Sequence, residues 1–91
     1  MTPENAEILA LGALGWLARE EDAIHRFLNL SGIDASDLRA GAGSPELGVA
    51  VLDFLLTNED LLVRFCETAS TAPKDLHLAR HRLGKEEWRE S

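Results

Sequence analysis

Hydrophobic residues recur at helical spacing through almost the whole chain. The pattern predicts two long helices, the first helix of the chain from Pro3 to about Ala18 and the fourth from Pro45 to about Leu56. In both stretches the apolar residues lie all round the helix axis, so each helix requires several neighbours to cover it. The sequence therefore predicts two central helices.

Both central helices open with the same kind of three-residue start, Thr2-Pro3-Glu4 in one and Ser44-Pro45-Glu46 in the other. The hydroxyl suits the capping position, and proline suits the first helical position because no needed N–H is lost there. The glutamate complements the helix dipole. These starts predict where the two helices begin.

Two shorter stretches follow the central helices and carry a narrower apolar stripe, which is typical of amphipathic outer helices. The stripe residues are Ile24, Phe27, Leu28 and Ser31 in the first stretch, and Leu61, Leu62, Phe65, Cys66 and Ala69 in the second. The four-residue spacing of Asp22 with Arg26, and of Asp60 with Arg64, predicts weak ion pairs within each helix.

A third element closes each half of the chain. Residues 32–39 predict a short helix that ends at Gly41-Ala-Gly43, and residues 72–83 predict a longer one. Gly84 is expected to end the longer helix as a left-handed cap. Residues 85–91 then form a polar C-terminal tail whose one apolar residue is Trp88.

The two halves are related by an offset of 38 positions. Between Leu9 and Leu38 this offset gives nine identities in 30 positions, where the leucine-rich composition would give about two or three. We therefore predict an all-α fold, a compact bundle of five to six helices built from two pseudo-symmetric units. The units span about 3–40 and 44–83 within a single domain of residues 1–84, and the first and fourth helices pack about an approximate two-fold axis.

Composition excludes several classes of partner. The 91 residues carry a net charge of −7, which repels phosphate backbones and anionic membranes, so neither nucleic acid nor a membrane is an expected partner. The apolar run at residues 8–18 is too short to cross a bilayer, and the acidic residues before it do not suit a signal peptide. A single cysteine forms no intramolecular disulfide, and the expected location is the cytoplasm.

The candidate chemistry is weak, and no cofactor is expected. His77 and His81 lie four residues apart and could share a metal ion, with Cys66 or His25 as a third ligand, but a solvated helix face is the favoured interpretation. Cys66 could be a nucleophile, yet its place on an apolar stripe favours a small buried hydrophobe. The basic residues around the two histidines suggest weak nucleic-acid binding only as a third hypothesis, because glutamates follow directly.

Gly12 and Gly15 lie inside the first helix, where each costs about 1 kcal/mol relative to alanine. Close approach to another helix is the natural compensation. The partner is either the fourth helix, where Gly48 is also small, or a helix of another chain. The predicted interaction surface comprises Ile8, Leu11, Gly12, Gly15 and Trp16.

The segment from Arg26 to Arg39, with its Gly-Ile-Asp and Asp-Leu-Arg motifs, resembles a proteobacterial family of small helical proteins catalogued as a domain of unknown function, DUF3572. The Leu52-Asp-Phe-Leu-Leu56 segment carries the same resemblance, which extends over about residues 6 to 84. The resemblance implies a small all-helical fold and supplies no catalytic residues.

The leading functional hypothesis is a non-enzymatic cytoplasmic protein that acts on an unidentified protein partner or forms a homodimer. The alternative is a small-molecule or enzymatic role in a pocket between the two units. That pocket would be lined by Trp16, Phe27, Phe54 and Phe65, with His25 or Arg39 at its mouth.

Overall fold

The computed structural model describes the backbone of residues 1–41 and 44–90, and the side chains of residues 1–41 and 44–85. The described backbone contains six helices and no strand. The helices are α1 (Pro3–Arg19), α2 (Glu21–Ser31), α3 (Ala35–Ala40), α4 (Pro45–Thr57), α5 (Glu59–Ala69) and α6 (Pro73–Glu90). The predicted all-α bundle is confirmed.

The predicted helix starts are confirmed at both central helices. The Oγ1 atom of Thr2 accepts a hydrogen bond from the Asn5 N–H at 3.1 Å. The Oγ atom of Ser44 accepts from the Leu47 N–H at 3.2 Å. Each hydroxyl satisfies one of the N–H groups that a helix start leaves without a partner.

α4 is the central helix of the bundle and contacts α1, α2, α5 and α6. Its buried residues lie on nearly every side of the axis: Leu47, Gly48, Val49, Val51, Leu52, Phe54 and Leu55. α1 differs, because only one side is buried, through Ala6, Ala10, Ala13 and Leu17. The prediction that neighbours cover α1 all round is therefore wrong, since Ile8 and Leu11 remain 67% and 46% exposed.

The packing follows an approximate two-fold axis that relates equivalent positions 38 residues apart. A Cβ atom added to Gly48 would lie 3.3 Å from the Cβ of its equivalent, Ala10. α1 and α4 thus cross where equivalent residues meet, which places the crossing on the axis. Small residues there allow the two backbones to approach closely.

Two aromatic pairs repeat the same symmetry. Trp16 meets Phe65 edge-to-face with ring centroids 5.7 Å apart. Phe27 meets Phe54 edge-to-face at 5.4 Å. The 38-residue offset converts the first pair into the second, so each unit contributes one ring to both junctions.

The ends of the two outer helices are also equivalent. Gly32 after α2 has φ +74° and Ser70 after α5 has φ +52°, both in the left-handed region. These positions are 38 residues apart. A side chain in this region is disfavoured because its Cβ crowds the following carbonyl oxygen, whereas glycine has no such contact.

Ser70→Gly is therefore expected to raise the free energy of unfolding by about 1 kcal/mol. The reciprocal change, Gly32→Ser, is expected to lower it by a similar amount, since it introduces a Cβ at φ +74°. Urea unfolding followed by circular dichroism measures both. Equal stabilities for wild type and Ser70→Gly would contradict the assignment of backbone strain to Ser70.

Two local predictions are wrong. Gly84 is not a left-handed cap, because α6 continues through it to Glu90. Glycine weakens a helix interior by about 1 kcal/mol without forcing an end, and the lysine and glutamates that follow are good helix formers. The predicted end of α3 is confirmed at Gly41, whereas residues 42 and 43 and the Trp88 side chain lie outside the described part of the chain.

The predicted ion pairs within α2 and α5 do not form. Arg64 instead pairs with Glu20 at the end of α1, and the Arg64 guanidinium lies 5.7 Å from the centre of the Trp16 ring. A second pair joins Arg80 to Asp53, with Nε and Oδ1 at 2.8 Å. Both pairs link different helices, which a pattern of local spacing does not reveal.

Candidate protein-interaction surface

Four of the five predicted interaction residues lie together on the exposed side of α1. Ile8 has 67% and Leu11 46% of its surface exposed, and Gly12 and Gly15 are exposed beside them. Helical spacing places all four opposite the buried alanines of the same helix. We call this surface, formed by Ile8, Leu11, Gly12 and Gly15, the α1 face.

The two glycines of the α1 face make no close approach within the described chain. A Cβ atom added to Gly12 or Gly15 would meet no atom within 4 Å. The prediction that these glycines approach α4 is therefore wrong. The close contact between α1 and α4 uses Ala10 and Gly48 instead, because those positions lie on the inner side of the two helices.

A groove between α1 and α5 runs along one edge of the α1 face. Its volume is about 440 Å³, and its lining comprises Ile8, Leu9, Gly12, Gly15, Trp16, Arg19, Phe65, Thr68 and Ala69. Trp16, the fifth predicted residue, is half-buried in its wall. The α1 face and this groove form one continuous surface.

Of the residues that α5 contributes to the groove, the sequence predicts Phe65 beside Trp16 as a pocket-lining residue and Ala69 as part of the core stripe of α5. It predicts no role for Thr68. The 38-residue offset carries a signal that identifies them, because it relates Trp16 to Phe54 and Phe65 to Phe27. Knowing that one such pair is in contact predicts the other, and hence the α5 wall.

A second groove, between α2 and α4, is the symmetry equivalent of the first. It is lined by Phe27, Leu30, Ser31, Ala50, Asp53, Phe54 and Thr57, and each of these is 38 residues from a residue of the α1–α5 groove. Ala50 and Asp53 stand where the first groove has Gly12 and Gly15. The first groove is larger, with about 440 Å³ against about 260 Å³, and Gly12 and Gly15 add no side chain to its lining.

The four aromatic residues predicted to line one pocket do not do so. They form the two separate edge-to-face pairs described above, while His25 and Arg39 are exposed. A cavity of about 60 Å³ lies at the junction of α1, α4 and α6. It is lined by Glu7, Ala10, Leu11, Leu14, Ser44, Leu47, Gly48, Val51 and Leu83.

His77 and His81 are both exposed on α6. Among the described residues, no group of three histidine, cysteine, aspartate or glutamate side chains is arranged to hold a metal ion. Cys66, the suggested third ligand, is buried in the core. The two histidines share a helix face, and the fold brings no third ligand to them within the described chain.

Cys66 occupies the buried position that its apolar stripe predicts, with 8% of its surface exposed. Burial raises the pKa of the Cys66 thiol, and the negative charge of Asp75 raises it further. Because the thiolate is the reactive form of cysteine, this setting disfavours reactivity at neutral pH.

The family described as "Protein of unknown function (DUF3572)" matches residues 3–86 of the chain. The chain belongs to the DUF3572 family. The match covers all of α1 to α5 and most of α6, in agreement with the resemblance found in the sequence. Neither the curated proteins nor the solved structures contain a significant match. In the described residues, no helix has both the length and the apolar character needed to cross a membrane.

Proposed function

We propose that this chain is a non-enzymatic cytoplasmic protein that binds another protein, or a second copy of itself, through the α1 face and the adjoining groove. One observation carries the proposal: Ile8 and Leu11 are exposed beside two open glycines and an aromatic-walled groove. Single exposed apolar residues are common on proteins. A continuous apolar surface that includes a groove is typical of an interaction site.

The energetics of α1 support the same proposal. Leaving an isoleucine side chain in water forgoes about 1.5 to 3 kcal/mol relative to burial. Gly12 and Gly15 each weaken the helix by about 1 kcal/mol, and no packing within the described chain compensates for them. A bound protein would recover both contributions, because it would cover Ile8 and could approach the backbone closely at the glycines.

Three further observations support the proposed class and compartment. The lone cysteine is buried and its thiol pKa is raised, which disfavours the nucleophilic chemistry considered for it. A chain with one cysteine gains no stability from an intramolecular disulfide, which suits the reducing cytoplasm. The net charge of −7 disfavours binding to nucleic acid, so a protein partner is preferred.

Ile8→Glu is expected to reduce at least tenfold the amount of partner protein that the immobilised chain captures from a cell extract. A carboxylate in an apolar contact costs several kcal/mol unless it finds a partner. Free copies of this chain are added to the extract. Mass spectrometry then identifies the proteins, these copies included, that the immobilised wild type captures, and it measures how much less the Ile8→Glu variant captures.

The matched control is Val63→Glu. Val63 is an aliphatic residue with 47% exposure, and helical spacing places it on the opposite side of α5 from Phe65. The Val63→Glu substitution adds the same charge as Ile8→Glu, and circular dichroism checks that both variants are folded. Capture of the same proteins by wild type and Ile8→Glu would contradict the proposal.

A further inference from the structure

The exposed side of α1 is self-complementary in size and in charge. From one end to the other it presents Glu4, Ile8, Leu11, Gly12, Gly15 and Arg19, all exposed. The acid and the large aliphatic residues lie toward the start of the helix, and the small residues and the base lie toward its end. We infer that the α1 face binds the α1 face of a second copy, with the two helices antiparallel about a two-fold axis. This inference rests on the proposed function and names the partner.

The match in size follows from helical geometry. When two copies of a helix pack antiparallel about an axis between Leu11 and Gly12, residues at the same height have numbers that sum to 23. Ile8 and Gly15 point in nearly the same direction from the helix axis, so Ile8 faces Gly15 of the second copy. Leu11 and Gly12 point about 100° apart, so they lie on the two sides of the contact line and each meets its own equivalent. Ile8 thus meets a glycine beside which the structure leaves at least 4 Å of open space.

The match in charge uses the same register. Glu4 faces Arg19 of the second copy, so the two-fold axis generates two opposite-charge pairs at the ends of the contact. Neither residue is in an ion pair within the described part of its own chain. A parallel arrangement about the same face would instead bring Glu4 against Glu4 and Arg19 against Arg19.

The internal repeat shows that a helix fits against one edge of this kind of surface. On α4 the positions equivalent to Leu11 and Gly15 are Val49 and Asp53. There α6 lies across the helix, with Leu83 against Gly48 and Arg80 bonded to Asp53. Val49 is 8% exposed.

In the first unit the corresponding surface stays open because α3 is too short. α3 ends at Ala40, before the position that is equivalent to Arg80. Leu11 is consequently 46% exposed, against 8% for Val49. The second copy's α1 supplies the covering helix that the first unit lacks.

Charge reversal tests the inference on the full chain. We expect sedimentation velocity over a range of protein concentrations to show a dimer for the wild type. Glu4→Arg and Arg19→Glu should each weaken the dimer about tenfold, because each turns two attractive pairs into repulsive ones. The double variant should restore the wild-type dimerisation constant to within about twofold, since it exchanges the partners of each pair.

The two single variants also separate register from overall charge. Glu4→Arg reduces the net negative charge and Arg19→Glu increases it, yet both should weaken the dimer. The matched control is Glu46→Arg, which alters the acid in the first turn of α4 and should leave the dimer unchanged. Circular dichroism confirms the helical content of every variant.

A wild type that stays monomeric throughout the concentration range, or a double variant as weak as the singles, would overturn the inference. A monomeric wild type that still captures a different protein through Ile8 would leave the proposed function in place. Loss of both the dimer and the Ile8-dependent capture would remove the proposed function as well.

Discussion

Gly48→Val is expected to lower the free energy of unfolding by about 3 kcal/mol. An added Cβ would lie 2.9 Å from Cδ1 of Leu83 and 3.3 Å from Cβ of Ala10. Leu83 is almost completely buried, so its side chain has little room to move. The Ala10 Cβ is fixed to the backbone of α1. The substitution therefore forces α1, α4 and α6 apart where they meet at the pseudo-two-fold axis.

The matched control is Gly12→Val, which makes the same change in an exposed helix where no atom lies within 4 Å of the added Cβ. It should be neutral or slightly stabilising, because valine is a better helix former than glycine. Both variants are compared by urea unfolding at low protein concentration, so that association does not contribute. Equal losses of stability would show that packing at the axis does not account for the loss at Gly48.

Phe27→Ala and Phe65→Ala are each expected to destabilise the fold by about 4 kcal/mol. Both side chains are 2% exposed, and each meets an aromatic ring of the other unit edge-to-face. A domain of this size has a total stability of about 5 to 13 kcal/mol. Either substitution therefore removes a large share of the total, and a marked fall in the urea concentration at the unfolding midpoint is expected.

The effects of the two phenylalanine variants should be similar, since the repeat makes the positions equivalent. Thermal and urea unfolding measure both, and Leu30→Ala serves as the control because Leu30 is 75% exposed. A large loss at one phenylalanine and a small loss at the other would contradict the equivalence of the two junctions. It would indicate that one unit carries most of the packing energy.

Much of the fold is predictable from the sequence because the signals are local or repeated. Thr2 and Ser44 cap their helices through atoms only three residues away, so a short motif is sufficient to identify them. The 38-residue repeat adds long-range information, because two similar units are expected to bury similar faces. The buried positions Leu17 and Leu55, and Phe27 and Phe65, follow this pattern.

The interaction surface is only partly predictable, because hydrophobicity does not specify which neighbour covers a side chain. Ile8 and Leu11 are identifiable as apolar, but their exposure depends on the length of α3 and on the course of α6. Gly12 and Gly15 signal a close approach without indicating to what. Thr68 and Ala69 in the α5 wall of the groove also escape prediction, whereas Phe65 is expected beside Trp16 as a pocket-lining residue.

The sequence by itself determines the all-helical class, the caps at Thr2 and Ser44, and the duplication, since these depend on residue type and spacing. Only the tertiary structure decides that α6 packs against both α4 and α1 while α3 leaves the α1 face open, and that Arg64 pairs with Glu20 across the units. Such outcomes depend on distances between residues far apart in the chain. The α1 face is exposed because the closing helix of the first unit, α3, is much shorter than its equivalent in the second unit, α6.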